Sequence, residues 1–206
     1  DAIDDAAAMG KYSLRYSAAI VHLLVENTLT QYIFLICYHC HFSPTITDLA
    51  IEGTRKFLEE NPDASPSEIA EVIVNQQMAS GLKSHDKIHI LFRCVFTIDF
   101  FKEEQVEKWS DVISKITLGS APMERHLIGA AELLCQDKPK LFPVMLKQLF
   151  EEDALEEDVI LEWACEGRSD FTQASLDEDC RAALRGEAEP VVVWLQDDDS
   201  DESDSD

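Results

Sequence analysis

The chain has 206 residues and a mass of 23.2 kDa, which suits one domain of ordinary size with tails and is too little for two large domains. Its 41 acidic and 17 basic residues leave a formal charge of −24, which repels phosphate backbones and anionic lipid headgroups. We therefore expect no direct nucleic-acid or membrane partner. A hydrophobic content of 46% argues against wholesale disorder, and only 7 Gly and 7 Pro favour long helices.

The six cysteines lie scattered in apolar segments and do not form the closely spaced pattern of a disulfide framework. No secretory signal opens the chain, so a reducing, cytoplasmic location is expected. The first residue is Asp1 and not Met, which suggests a fragment or a processed chain.

The negative charge is concentrated at the carboxyl-terminal end. Residues 149–206 carry 21 acidic and 3 basic residues, or −18, whereas residues 1–148 carry 20 acidic and 14 basic residues, or −6. Residues 197–206 contain seven acids, three serines and nothing apolar, so we expect a disordered acidic tail there. We divide the rest into a poorly defined segment, 1–42, and a helical domain, 43–196.

Successive apolar stripes at helical spacing predict the elements in chain order. The residues Ser65-Pro66-Ser67-Glu68 form a capping box with Pro at the first helical position, and this helix is expected to stop near Gly81. Further helices are predicted from Ser84 through Phe96, Val106 to Ile116, Leu127 to Cys135, Leu141 to Phe150, Val159 to Trp163, Ser175 (as cap) to Leu184, and Val191 to Leu195.

Short connections between these stripes force neighbouring helices to run antiparallel. With no strand alternation in residues 43–195, the chain is predicted to be all-α, a solenoid-like stack of helical hairpins, with a compact bundle as the alternative. Ahead of it, Ala18 to Val25 is predicted to be helical. The apolar run from Gln31 to Tyr38 is too short to span a bilayer, and we assign it no structure.

Two groups of residues resemble the start of a metal site. Residues 37–41 join a CxxC spacing to two histidines but lack a second ligand pair. His85 and His89 have the i, i+4 spacing of zinc hydrolases, with Asp86 where those enzymes use Glu, but no third ligand is evident. We therefore predict no metal, no cofactor and no catalytic residues. A metal-dependent enzyme built on His85 and His89 is the weaker alternative.

The most informative pattern is a pair of boxes, residues 149–163 and 187–199, each joining carboxylates to one tryptophan. On a helical wheel, Trp163 falls on an apolar stripe with Leu155, Val159 and Ile160, which indicates a structural anchor. Trp194 is assigned the same role. The carboxylates are predicted to bind the partner: Glu151, Glu152, Asp153, Glu156, Glu157, Asp158, Glu162, Glu187, Glu189, Asp197, Asp198 and Asp199.

At these boxes, from about residue 45 to Leu195, the chain resembles the carboxyl-terminal two-tryptophan domain of eukaryotic translation initiation factor 5, the epsilon subunit of initiation factor 2B and their mimic proteins. The acidic tail directly after Trp194-Leu195 is most similar to that of initiation factor 5. The resemblance implies HEAT-like hairpins of the MIF4G type. It also implies an assembly domain that binds the lysine-rich segment of the beta subunit of initiation factor 2, together with initiation factors 1, 3 and 4G.

In this family, GTPase activation belongs to an amino-terminal domain that is not in this sequence, so the resemblance implies a domain that is not itself an enzyme. The alternative from another class is the carboxyl-terminal domain of the guanine-nucleotide exchange subunit, initiation factor 2B epsilon, or a regulatory mimic protein. A zinc ribbon upstream would indicate initiation factor 5. A β-helix with a nucleotidyltransferase-like region upstream would indicate initiation factor 2B epsilon.

Overall fold

The structure, a computed structural model, describes residues 45–201, with side chains described as far as Asp197. The predictions for the segment 1–42, for the helix from Ala18 to Val25 and for the thiols and imidazoles of residues 37–41 lie outside the described residues. So do the carboxylates of Asp198 and Asp199 and all of residues 202–206.

The described residues form eight α-helices and one 3-10 turn, and residues 45–201 contain no strand, which confirms the all-α class. In chain order, the helices are α1 (Ile46–Glu60), α2 (Pro66–Ala79), α3 (Asp86–Val95), α4 (Gln105–Thr117), α5 (Ala121–Cys135), α6 (Phe142–Glu151), α7 (Glu157–Cys165) and α8 (Glu178–Asp201), with the 3-10 turn Pro139–Leu141 before α6.

The helices pack as a two-layered stack of four hairpins. Each odd-numbered helix packs against the next odd one, from α1 through α3 and α5 to α7, and the even-numbered helices from α2 to α8 do the same. Within each hairpin the two helices also contact each other. This arrangement agrees with the predicted stack, because each pair buries its apolar stripes against the pair before it.

Each helix contributes its apolar stripe to a single continuous core between the layers. Among the side chains that are almost wholly buried are Ile73, Ile88, Ile113, Leu127, Phe142, Met145, Ile160 and Leu184, one from each helix after α1 except α6, which gives two. At the start of α2 the predicted capping box is confirmed: the Ser65 hydroxyl accepts from the Glu68 amide, and the Glu68 carboxylate accepts from the Ser65 amide at 2.9 Å.

The structure differs from the predicted elements in three places. The predicted elements include no helix over residues 46–60, where α1 lies. The cap of α8 is Asp177 and not Ser175, because the Asp177 carboxylate accepts from the Cys180 amide at 2.7 Å, whereas buried Leu176 belongs to the preceding connection. Finally, the two predicted carboxyl-terminal helices are one helix, which contains Pro190 and extends beyond the expected boundary at residue 196 to Asp201.

Candidate partner-binding site

The turn between α6 and α7 holds the first group of carboxylates outside the core. The amides of Ala154 and Leu155 both donate to the Leu149 carbonyl, at 2.9 and 3.2 Å, and both of these side chains are 3% exposed. Asp153 makes this reversal possible with a φ of 53° in the left-handed region, which Asp tolerates better than most residues. Because the apolar pair fills the core, Glu151, Asp153 and their acidic neighbours are left at the surface.

A buried carboxylate from another helix fixes the start of α7. Glu124 of α5 is 3% exposed and accepts from the Glu156 amide at 2.9 Å, and so replaces the side-chain cap that Glu156 does not make itself. Glu157 and Asp158 follow in the first turn, where the helix dipole favours negative charge. The acidic composition of this turn therefore costs the helix little.

Trp163 lies in the core at 5% exposure, on the predicted stripe with Leu155, Val159 and Ile160, which are all buried. Its indole N–H donates to the Glu132 carboxylate at 3.0 Å, and its ring meets Phe142 edge-on at a centroid distance of 5.3 Å. Burial raises the pKa of Glu132, and the Trp163 hydrogen bond only partly offsets this effect. Trp163 thus supplies a hydrogen bond to the buried Glu132 carboxylate and also packs in the core.

Trp194 is half-buried and joins the two boxes. Its ring lies edge-on to Phe150 at 5.7 Å, so the carboxyl-terminal part of α8 lies against the end of α6. Lys147 lies between them, with its Nζ 5.1 Å from the Trp194 ring centroid and 3.6 Å from the Glu151 carboxylate. The structure therefore brings the first box and the end of the second to one edge of the molecule.

We call this region the acidic edge. It comprises the α6–α7 turn, the first turn of α7 and the end of α8 around Trp194, and its described carboxylates are Glu151, Glu152, Asp153, Glu156, Glu157, Asp158 and Asp197. All seven are exposed or half-buried. Glu151 forms a salt bridge with Lys147 of the same helix, and both side chains are exposed to solvent.

Two of the predicted binding carboxylates lie elsewhere, and a third lies earlier on α8. Glu162 is exposed but lies 3.7 Å from the buried Arg125 guanidinium, which also pairs with Glu166, so its charge is partly neutralised within the molecule. Glu189 lines a groove against the end of α7, on a different side of α8 from Trp194. Glu187 is half-buried and lies about two turns before Trp194 on the same face of α8.

Two arginines of α8 that sequence reasoning missed, Arg181 and Arg185, hold the last hairpin together. Arg185 donates to the carbonyls of Trp163 at 2.7 Å and Ala164 at 3.2 Å, and Arg181 donates to that of Gly167 at 3.2 Å. Arg181 is 3% exposed, as buried as Arg125 on α5. Residues 149–206 contain only three basic residues, and this scarcity of cations in an acidic segment could have indicated that they bind internally.

The remaining chemistry in the described residues is sparse. Between residues 45 and 201, no group of three or more His, Cys, Asp or Glu side chains is placed to hold a metal ion. No described helix combines the length and the apolar character that crossing a bilayer requires.

Comparison with known proteins supports the two-tryptophan resemblance. Residues 123–205 match the model of the W2 family, described as eIF4-gamma/eIF5/eIF2-epsilon, and this match confirms the resemblance predicted from the boxes. A solved structure described as the C-terminal domain of translation initiation factor 5 at low pH is 23% identical, with a TM-score of 0.56. That match covers 76% of this chain and 97% of the other, and it shows the shared fold. No curated protein sequence matches the chain.

Proposed function

Because residues 123–205 match the model of the W2 family, described as eIF4-gamma/eIF5/eIF2-epsilon, we propose that this chain assembles initiation complexes by capturing lysine-rich segments of other factors on its acidic edge. A W2 domain is a protein-interaction domain, and the family match supports a role in translation initiation. The segment that we propose as the first ligand is the lysine-rich part of the beta subunit of initiation factor 2. The proposal includes initiation factors 1, 3 and 4G as further partners and the cytoplasm as the location.

The observation that carries the proposal is the acidic edge itself. Six carboxylates of residues 151–158 project from a turn whose Ala154 and Leu155 are packed in the core, so they are held on a fixed scaffold. A single exposed ion pair contributes only about 0.2–1 kcal/mol. Several such pairs on one rigid surface combine, since the first contact raises the effective concentration of the remaining lysines.

The half-buried Trp194 adds an aromatic surface beside these charges. Its ring already has the Lys147 ammonium group 5.1 Å from its centroid, the arrangement of a cation–π contact. A lysine of the ligand can make the same kind of contact at the exposed part of the ring. This combination of carboxylates and indole favours lysine-rich over merely polar segments.

The test is a titration of a lysine-rich peptide against the chain and against the variant Glu157→Lys/Asp158→Lys. The double charge reversal should weaken binding about tenfold at 0.1 M salt, and the affinity of the unaltered chain should fall as salt screens the charges, since the Debye length there is about 10 Å. Helical circular dichroism should be unchanged, because the loss of two favourable dipole contacts costs only about 0.3–1 kcal/mol each.

The matched control is Glu71→Lys/Asp111→Lys, which makes the same charge change at exposed positions of α2 and α4. This variant should bind the peptide within about threefold of the unaltered chain, since its net charge changes equally but its acidic edge is intact. If both variants weakened peptide binding equally, the loss of affinity would follow from net charge alone, and this result would contradict the proposed surface.

The family description also names eIF2-epsilon, so a second candidate is the carboxyl-terminal domain of the exchange subunit of initiation factor 2B. In the first case the parent protein activates GTP hydrolysis through another domain, and in the second it exchanges nucleotide. A zinc ribbon in the same protein would favour the first candidate, and a β-helix with a nucleotidyltransferase-like region would favour the second.

A further inference from the structure

The first two hairpins contain a recess, which lies outside the residues that match the W2 model. This recess, which we call the amino-terminal cleft, has a volume of about 480 Å³ and lies where the end of α1, the start of α2, the end of α3 and the start of α4 meet. Its apolar lining includes Leu58, Pro62, Ile69, Val95 and Trp109. The volume is within the range of about 300–1,000 Å³ that holds small ligands and side-chain anchors.

Trp109 forms an aromatic wall of the cleft, and part of its ring is exposed to solvent. The ring is half-buried, unlike that of Trp163, and no hydrogen bond of its indole N–H is found within the described part of the chain. The Lys108 ammonium group lies 5.2 Å from the ring centroid. This wall therefore offers a donor and an aromatic face that already attracts a cation.

The two segments at the mouth of the cleft are negatively charged. Residues 59–63 contain Glu59, Glu60 and Asp63 and no basic residue, and residues 103–108 contain three glutamates and one lysine. Asn61 and Pro62 of the first segment, and Glu103 and Lys108 of the second, line the cleft directly. The net charge of the two segments together is −5, and one of these acids, Glu60, pairs with Lys56 at 3.8 Å. The remaining excess of negative charge favours a ligand with cations next to its apolar part.

We propose that the amino-terminal cleft binds a leucine or aromatic side chain that is flanked by lysines or arginines in a partner peptide. The apolar wall selects the central side chain and the acidic mouth selects its basic neighbours. The acidic edge, by contrast, presents charges on an open surface and needs no apolar anchor. The site is independent of the proposed function, because it uses different helices and a different chemical requirement.

The test compares two synthetic peptides by NMR titration of the ¹⁵N-labelled chain. Both carry two lysines at each end, and the central pair is Leu-Phe in one and Ser-Ser in the other. The Leu-Phe peptide should shift the indole N–H resonance of Trp109 and the amides around Leu58 and Val95. The Ser-Ser peptide should leave these resonances in place, so that any shift it causes lies at the acidic edge.

Two matched triple variants separate the sites, since each removes three charges. Glu60→Gln/Asp63→Asn/Glu103→Gln neutralises the mouth of the cleft and should weaken the Trp109 response to the Leu-Phe peptide about fivefold. Glu152→Gln/Asp153→Asn/Glu156→Gln neutralises the acidic edge and should leave that response unchanged. Failure of the proposed function would remove the shifts at the acidic edge alone, with the Trp109 response intact.

Several results would overturn the cleft proposal. The Trp109 resonance could fail to move with the Leu-Phe peptide, or it could move equally with both peptides, which would show charge attraction without an apolar anchor. It could also move with protein concentration in the absence of peptide, which would identify a second copy of the chain as the occupant.

Discussion

At the scale of single residues, the two box tryptophans have different environments. Trp163 is 5% exposed and donates a hydrogen bond to the buried Glu132, whereas Trp194 is half-buried against Phe150. Removing the first ring leaves a cavity and also takes from Glu132 its indole donor. Removing the second ring leaves a surface that water can reach.

We therefore expect Trp163→Ala to lower the free energy of unfolding by about 3–5 kcal/mol. Trp194→Ala should lower it by about 1–2 kcal/mol, as for a half-buried side chain. Urea unfolding followed by far-ultraviolet circular dichroism measures both. Equal losses in the two variants would contradict the difference in burial.

Histidines form a second residue-scale feature, at the start of α3. The rings of His85 and His126 stack at a centroid distance of 4.0 Å, His126 meets Phe171 edge-on at 5.0 Å, and His89 lies 3.0 Å from the Gln173 amide. Burial, more than the neighbouring His85, His89 and Lys83, lowers the pKa of His126 to about 4, although Asp86 acts in the opposite direction.

This pKa predicts a dependence of stability on pH. An unfolded histidine titrates near pH 6.5, so below that pH the unfolded chain takes up a proton that the folded His126 does not. The share of stability due to neutral His126 is therefore present above about pH 6.5 and is lost as the pH falls from 6.5 towards 4. The variant His126→Gln keeps a neutral polar side chain and should flatten the decline in this window.

Urea unfolding at several pH values between 4 and 7 measures the difference between this variant and the unaltered chain. The comparison is needed because the raised pKa of Glu132 contributes a change of opposite sign to both proteins. Identical slopes in the two proteins would show that His126 is protonated equally in the folded and unfolded states.

At the scale of elements, α8 shows how tertiary packing overrides local preference. Pro190 removes one helical hydrogen bond and predicts an interruption, yet the helix continues through it to Asp201. The reason is that Val191 and Leu195 extend, at helical spacing, the buried stripe that Leu184 and Ala188 begin. The stripe was readable in the sequence, but its continuity depended on α6 and α7, which the sequence does not place.

The conformation of the twelve-residue connection between α7 and α8 depends on contacts that no sequence pattern predicts. Phe171 lies under the Arg125 guanidinium at 5.1 Å, and its carbonyl approaches α5 so closely that a Cβ at Gly129 would lie 2.9 Å from it. Leu176 is 1% exposed within this connection. These partners are separated by about forty residues, so only the fold reveals them.

The burial of Leu176 also moves the cap of α8, which can be tested. Asp177→Ala should lower the free energy of unfolding by about 1 kcal/mol, because the Cys180 amide loses its acceptor. Ser175→Ala should change it by less than about 0.5 kcal/mol, since Ser175 is exposed and lies outside the helix. Thermal unfolding of the two variants decides between the caps, and a larger loss for Ser175→Ala would favour the sequence-based assignment.

At the scale of the whole molecule, the described helices separate two kinds of surface. The first two hairpins carry an open cleft with an apolar wall, and the last two carry an edge of carboxylates. The sequence could predict the all-α class, the antiparallel pairs and the outward direction of the six carboxylates in residues 151–158, because these follow from stripes and short connections. It could not predict that Glu162 faces Arg125, because that direction is decided by a neighbouring helix.

The two arginines of α8 that bind the end of α7 have a consequence for any shortened form of this chain. Arg185 and Arg181, which belong to α8, donate hydrogen bonds to the carbonyls of Trp163, Ala164 and Gly167. A chain that stopped before α8 would lose these donors and would also uncover the core face of α7. If the acidic edge binds lysine-rich segments as proposed, we expect such a shortened chain to lose that binding, because the last hairpin that carries the edge would no longer fold.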